Sequence, residues 1–117
     1  MAGAERFDLA DMRVSPTAAL FEGAGRGAGV SVFVTRTPPG KWVGLHVHPY
    51  PETFVLLEGR GRWTVAGQAV ELGPDQMVVV PPDTPHGFRN TGDQPLLVVS
   101  VHERDTLEQR WLDEEPL

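Results

Sequence analysis

Histidine and glutamate side chains with the spacing of a metal site are the chemically most informative feature of this sequence. The chain has four histidines, and His46 and His48 are separated by a single residue. Side chains at positions i and i+2 of a β-strand point to the same face, so both imidazoles can reach one ion. Glu52 follows a bend that contains two prolines, and His86 begins a later extended segment. Three imidazoles and one carboxylate suit a divalent transition metal (Fe, Mn, Ni, Co, Cu or Zn), which the sequence predicts at these four residues.

These residues are spread over a series of short segments that are typical of β-strands. From Val30 nearly to the end of the chain, runs of β-branched and aromatic residues are separated by turns that contain Gly or Pro. About eight such segments indicate an all-β sandwich or barrel. We expect one domain, in which residues 1–29 form an extension with a short strand and a Gly-rich loop, residues 30–102 form the barrel, and residues 103–117 form a tail or a short C-terminal helix.

Other side chains near the predicted ligands are candidates for a substrate pocket or for catalysis. Four apolar residues share the strand parity of a ligand and either line the same cavity or fill the barrel core: Trp42, Phe54, Leu56 and Phe88. Tyr50 lies beside the ligands and can either contact a substrate or cap the rim. His102 ends the last predicted strand, where it is either a general base at the barrel mouth or a surface residue.

Composition and charge exclude several kinds of site and partner. The net charge of -6 disfavours binding to nucleic-acid backbones or anionic membranes. The absence of cysteine excludes disulfides, thiolate ligands and a cysteine nucleophile. No apolar run is long enough to cross a bilayer, and residues 1–11 lack the pattern of a signal peptide, so we expect a cytoplasmic protein.

The spacing of the first ligands resembles the first signature motif of the cupin superfamily. Gly40, the pair His46 and His48, Glu52 and Gly59 occupy every signature position of that motif. This match is specific for the fold and for the metal site.

The second cupin motif is matched less fully. Pro81, His86 and Asn90 stand at its expected positions, but Asp83 replaces the usual glycine, and Asp75 stands where the opening glycine is expected. Asp is one of the few residues that tolerate left-handed turn geometry, so we expect neither change to disturb the fold.

The resemblance, which covers roughly residues 30–102, implies a fold and a range of functions. A single-domain cupin is a jelly-roll barrel, or double-stranded β-helix, whose metal has four protein ligands and two positions open for water, O2 or a chelating substrate. Such a protein acts on a small organic molecule through the metal. We expect an O2-dependent dioxygenase-type reaction, with a metal-dependent isomerase, lyase or polyketide-type cyclase, or a non-catalytic binding or sensory cupin, as alternatives.

Surplus apolar residues predict self-association, since small cupins are commonly dimers. Val30 to Val34 alternates apolar side chains, and Trp111 and Leu112 lie beyond the matched barrel. We therefore expect a homodimer with a two-fold interface. The alternative is that the C-terminal segment folds back over its own barrel and covers Trp111 without a partner.

Overall fold

Two antiparallel β-sheets make up the computed structural model, which describes residues 3–117. A short 3-10 helix, Leu9–Met12, precedes the first strand. The strands are Arg13–Ser15 (β1), Ala18–Glu22 (β2), Ser31–Thr37 (β3), Trp42–Val47 (β4), Glu52–Glu58 (β5), Gly61–Val65 (β6), Gln68–Leu72 (β7), Gln76–Val80 (β8), His86–Asn90 (β9), Leu96–His102 (β10) and Arg110–Trp111 (β11). One sheet has the order β1-β2-β3-β10-β5-β8 and the other the order β11-β4-β9-β6-β7. The predicted all-β barrel is confirmed.

The interior between the sheets changes from polar to apolar along the strands. Strand β5 points Glu52, Phe54 and Leu56 inward in succession, as its alternating burial shows. Leu56 belongs to the apolar core together with residues such as Trp63, and Phe54 packs between Trp63 and His86. The core thus supports the polar end of the barrel, where the predicted ligands lie.

Two aspartates adopt the left-handed backbone geometry expected of them. Asp75 has φ of 67° and Asp83 has φ of 57°. The backbone N–H of Asp83 donates to the carbonyl oxygen of His48 at 2.7 Å. The turn before β9 is therefore attached directly to the chain that carries the first ligands.

The C-terminal segment forms a strand and not the short helix that the sequence allowed. In β11, Arg110 pairs with Val47 and Trp111 pairs with His46 on the edge of β4. An edge strand offers unpaired N–H and C=O groups, and these satisfy the backbone of the tail. The tail therefore folds back over its own barrel, and the Trp111 ring lies 4.8 Å from the His46 ring.

The N-terminal extension continues the larger sheet. Strand β2 pairs with β3 along its whole length, with Ala19 opposite Val34. Phe7 packs against Phe21 with their ring centroids 5.4 Å apart. No helix among the described residues has the length and apolar character that a membrane crossing requires.

Candidate metal centre

The four predicted ligands come together from three neighbouring stretches of chain. His46, on β4, is the register partner of His86, on β9. His48 follows β4 directly, and the bend at residues 49–51 returns the chain so that Glu52 begins β5. All four side chains are buried, and one donor atom from each lies within 4.8 Å of the others.

The hydrogen bonds of the three imidazoles determine which ring nitrogen carries the proton. In each ring Nδ1 faces a backbone carbonyl oxygen, which can only accept a hydrogen bond, so Nδ1 must be the donor. In a neutral imidazole this leaves a lone pair on Nε2, as ligation by Nε2 requires. For His46, His48 and His86 the acceptors are the carbonyl oxygens of Gly44 (2.8 Å), Glu108 (2.9 Å) and Thr84 (2.8 Å), respectively.

The donor set fits a divalent metal ion. Glu52 Oε1 lies 3.0 Å from His48 Nε2 and 2.9 Å from His86 Nε2, so in these neutral tautomers the lone pairs of both rings face the carboxylate. His48 Nε2, although close to the carboxylate, has no aligned hydrogen-bond partner in residues 3–117. A cation bound between these atoms would remove the repulsion between the lone pairs and the carboxylate. Two ligand atoms that lie at right angles about an ion, each about 2.1 Å from it, are about 3 Å apart, which matches the distances observed here. The predicted cofactor, a divalent transition metal of unspecified identity, therefore suits the residues present.

Burial and mutual contacts set the protonation states of His46 and Glu52. Burial, and then the nearby His86, lowers the pKa of His46 from 6.5 to about 4. Burial by itself would raise the pKa of Glu52, but contacts with His102, His48 and His86 outweigh it and hold that pKa well below its usual value. A neutral imidazole and an ionised carboxylate are the forms that bind a metal ion.

A cavity of about 660 Å³ opens beside the ligands, and His46 and Glu52 form part of its wall. Three of the four predicted pocket residues, Trp42, Phe54 and Phe88, line it. Leu56 instead lies in the core with no exposed surface, because it is one inward position further along β5 than Phe54.

Much of the cavity wall comes from segments that carry no sequence signal linking them to the site. Strands β2 and β3 contribute one side, and the C-terminal segment contributes another. The alternation of side chains along β2 and β3 predicts two faces for each strand, but it does not indicate which face points into the barrel. The wall residues from these segments include Leu20, Phe33, Thr35, Leu107, Gln109 and Trp111.

Tyr50 and His102 both lie in the interior. His102 is 1% exposed, lines the cavity, and places Nε2 3.0 Å from Glu52 Oε2. Tyr50 is buried, and its hydroxyl lies 2.8 Å from His102 Nδ1. Both nitrogens of His102 thus face protein atoms, and the Tyr50 hydroxyl faces His102 and not a rim.

Comparison with known proteins agrees with this architecture. A family model described as Cupin domain matches residues 33–102. The chain is a cupin. The resemblance that the two motifs predicted is confirmed.

Two relatives of this cupin are enzymes by name. The polyketide synthase CurC of Streptomyces cyaneus is 40% identical over 62 residues, which cover 52% of this chain and 40% of CurC. The 5-nitrosalicylic acid 1,2-dioxygenase of a Bradyrhizobium species is 29% identical over 65 residues, which cover 56% of this chain and 31% of the dioxygenase. The cupin therefore matches less than half the length of either relative.

Solved structures similar to this cupin include oxalate decarboxylases. The enzyme from Bacillus subtilis superposes with a TM-score of 0.79 at 22% identity, covering 89% of this chain and 30% of the decarboxylase. The enzyme from Lactobacillus farciminis, in a formate complex, superposes with a TM-score of 0.79 at 20% identity, covering 91% of this chain and 35% of the decarboxylase. At such identities the likeness shows a common fold.

Proposed function

We propose that this cupin is a metal-dependent enzyme that oxidises a small aromatic or enolic substrate with O2. The observation that carries the proposal is the position of His46 and Glu52 in the wall of a cavity of about 660 Å³. A cavity of this size accommodates an organic molecule of many non-hydrogen atoms. A divalent metal held by the four ligands would supply redox and Lewis-acid chemistry at the cavity wall.

The remaining wall residues favour a flat substrate with an acidic oxygen. Trp42 and Trp111 both line the cavity and are about half exposed, so their rings can receive a planar molecule. Lys41 is the one lysine or arginine in the wall formed by the described residues. Its ammonium group can pair with a phenolate, enolate or carboxylate oxygen.

The relatives support two different reactions on substrates of this kind. The dioxygenase relative supports oxidation, whereas the greater identity of 40% to a polyketide synthase supports a second candidate, in which the metal acts as a Lewis acid in a cyclisation. A cyclisation also needs an acid–base group. Because His102 Nδ1 is bonded to the Tyr50 hydroxyl and its Nε2 lies 3.0 Å from the Glu52 carboxylate, oxidation remains the first proposal.

O2 consumption by metal-loaded protein tests the first proposal. Metal-free protein would be loaded separately with Fe(II), Mn(II), Ni(II) or Co(II) and mixed with catechols, salicylates, flavonols and 1,3-diketones. We expect O2 uptake in proportion to substrate loss with at least one metal, and no uptake by His86→Ala. Product formation without O2 would support cyclisation instead, and quenching of tryptophan fluorescence without turnover would support a binding protein.

A variant that fills the cavity without removing a ligand serves as the matched control. Thr35 lines the cavity on β3 and is not one of the four ligands. Thr35→Trp should retain metal and lose substrate binding. Equal turnover by Thr35→Trp and the parent protein would contradict a reaction in this cavity.

We also propose that the cupin is a homodimer, and that the outer face of the larger sheet forms the interface. Trp111 is placed over the cavity by its own chain and is not the main candidate for this contact. Residues that alternate with the inward side chains of β5 and β8 form an exposed apolar patch, which favours a two-fold contact. The most exposed members are Leu57, Met77 and Val79.

Light scattering at micromolar concentration tests the dimer. The expected mass is twice that of one chain, and Val79→Lys should shift the equilibrium to monomers because Val79 is 60% exposed and its replacement leaves the interior intact. A monomeric mass for the parent protein would reject the dimer.

A further inference from the structure

The fourth imidazole of the chain has a hydrogen-bond partner unlike those of the other three. His102 Nδ1 faces the Tyr50 hydroxyl at 2.8 Å, not a backbone carbonyl oxygen. The Tyr50 oxygen also accepts a hydrogen bond from the backbone N–H of Glu108 at 3.3 Å. The Tyr50 hydroxyl can donate its own proton to His102 Nδ1, and in that arrangement a neutral His102 carries its proton on Nε2, towards the Glu52 carboxylate.

His102 consequently presents a donor where the three ligand imidazoles present lone pairs. Its Nε2 is 3.0 Å from Glu52 Oε2, while Oε1 of the same carboxylate faces His48 and His86. The two atoms are close but not aligned for a hydrogen bond, and His102 Nε2 has no hydrogen-bond partner in the described part of the chain. His102 is also the register partner of Glu52 across β5 and β10, so the backbone holds the two side chains together.

We propose that His102, oriented by Tyr50, is a positioning residue that occupies Glu52 Oε2 and leaves Oε1 alone for the metal. The two oxygens of a carboxylate can both bind one ion, which would use a coordination position that a substrate needs. A donor held against Oε2 would limit Glu52 to a single bond with a metal ion. The proposal rests on the metal centre and not on the reaction proposed above.

The C-terminal segment connects this pair to the ligands. Glu108 uses its backbone N–H for Tyr50 and its carbonyl oxygen for His48 Nδ1. The Tyr50 ring also stacks on His48, with centroids 5.0 Å apart and planes 14° apart. One short stretch of tail therefore orients a ligand imidazole and the residue that positions the carboxylate.

Three variants separate hydrogen bonding from packing. His102→Leu removes the donor and keeps an apolar side chain of comparable bulk, whereas His102→Gln restores an N–H donor at a similar reach. Tyr50→Phe keeps the ring on His48 and removes only the hydroxyl that fixes the proton of His102. Circular dichroism and the melting temperature of each metal-free variant establish that it is folded.

Affinity for Co(II), measured by competition with a chelator, and the visible absorption spectrum of the Co(II) protein are the readouts. Loss of a partner that orients a ligand costs about 10-fold to 100-fold in metal affinity. We expect a loss of this size and an altered Co(II) spectrum in His102→Leu, a smaller change of the same kind in Tyr50→Phe, and recovery of both in His102→Gln.

Two results would overturn the positioning role. One is a parental affinity and Co(II) spectrum in both His102→Leu and Tyr50→Phe. The other is an equal loss in His102→Leu and His102→Gln, which would assign the effect to packing. Neither readout requires turnover, so a protein that binds Co(II) as expected but consumes no O2 would contradict the proposed reaction alone.

Discussion

Protonation of His46 links the metal centre to stability in acid. The pKa of His46 is about 4 in the folded protein and 6.5 in the unfolded chain. Between these two pH values the unfolded chain therefore binds more protons than the folded protein. The free energy of unfolding is therefore highest above about pH 6.5 and decreases by up to roughly 3 kcal/mol as the pH falls towards 4. The lowered pKa of Glu52 acts in the same direction, because its stabilisation is lost as that carboxylate becomes protonated.

The melting temperature of the metal-free protein between pH 7 and pH 4 measures this effect. We expect it to fall progressively across that range in the parent protein and less steeply in His46→Gln, which has no imidazole to protonate at that position. A melting temperature independent of pH in the parent protein would contradict the burial of a neutral His46.

Residue types and spacing were sufficient to predict that His46, His48, Glu52 and His86 come together, because the cupin motifs fix their separations along the chain. They also predicted left-handed geometry at Asp75 and Asp83, since few other residues accept it. They did not predict how His102 is used. The proton of an imidazole depends on the groups that face its nitrogens, and those that face His102, Tyr50 and Glu52, lie about 50 residues away in sequence.

Among the secondary-structure elements, the metal centre depends most on the close approach of strands β4 and β9. A Cβ atom on Gly87 would lie 2.5 Å from the carbonyl oxygen of Val43 and 2.9 Å from that of Gly44. These are backbone atoms, so the strands themselves would have to separate. The same strands carry the paired ligands His46 and His86.

Gly87→Ala should therefore weaken both stability and metal binding. Overpacking of this kind costs about 1–3 kcal/mol, and the two imidazoles would move apart with their strands. Thermal melting and Co(II) affinity check the result. Gly73→Ala is the matched control, because a Cβ there meets only ordinary contacts beginning at 3.5 Å. Unchanged Co(II) affinity in Gly87→Ala would show that strand separation does not set the ligand geometry.

Strand periodicity predicted the barrel strands better than the ends of the chain. An irregularity in register between Val43 and His46 interrupts simple alternation in β4, so strand parity with His46 does not extend to Trp42 and Val43, both of which line the cavity. The tail pairs with an exposed edge, and the free hydrogen-bonding groups of an edge cannot be read from the sequence of the tail itself. Residues such as Trp111 therefore lie in the site without a sequence signal for it.

At the scale of the whole molecule, the metal should contribute to stability because it binds the folded chain. An ion present at a hundredfold excess over its Kd stabilises by about 2.7 kcal/mol, which corresponds to roughly 10 °C in a domain of this size. Addition of a chelator should lower the melting temperature by that order, and restored metal should recover it. His86→Ala should respond little to the chelator. A melting temperature of the parent protein that ignores both additions would contradict a tightly bound ion.

We infer that one divalent transition metal binds to His46, His48, Glu52 and His86, whose donor atoms lie within 4.8 Å of one another. Elemental analysis of protein purified without added metal, with folding verified by circular dichroism, tests it most directly. We expect about one ion per chain in the parent protein and almost none in His48→Ala or His86→Ala. Full occupancy in both folded variants would contradict the assignment of the site.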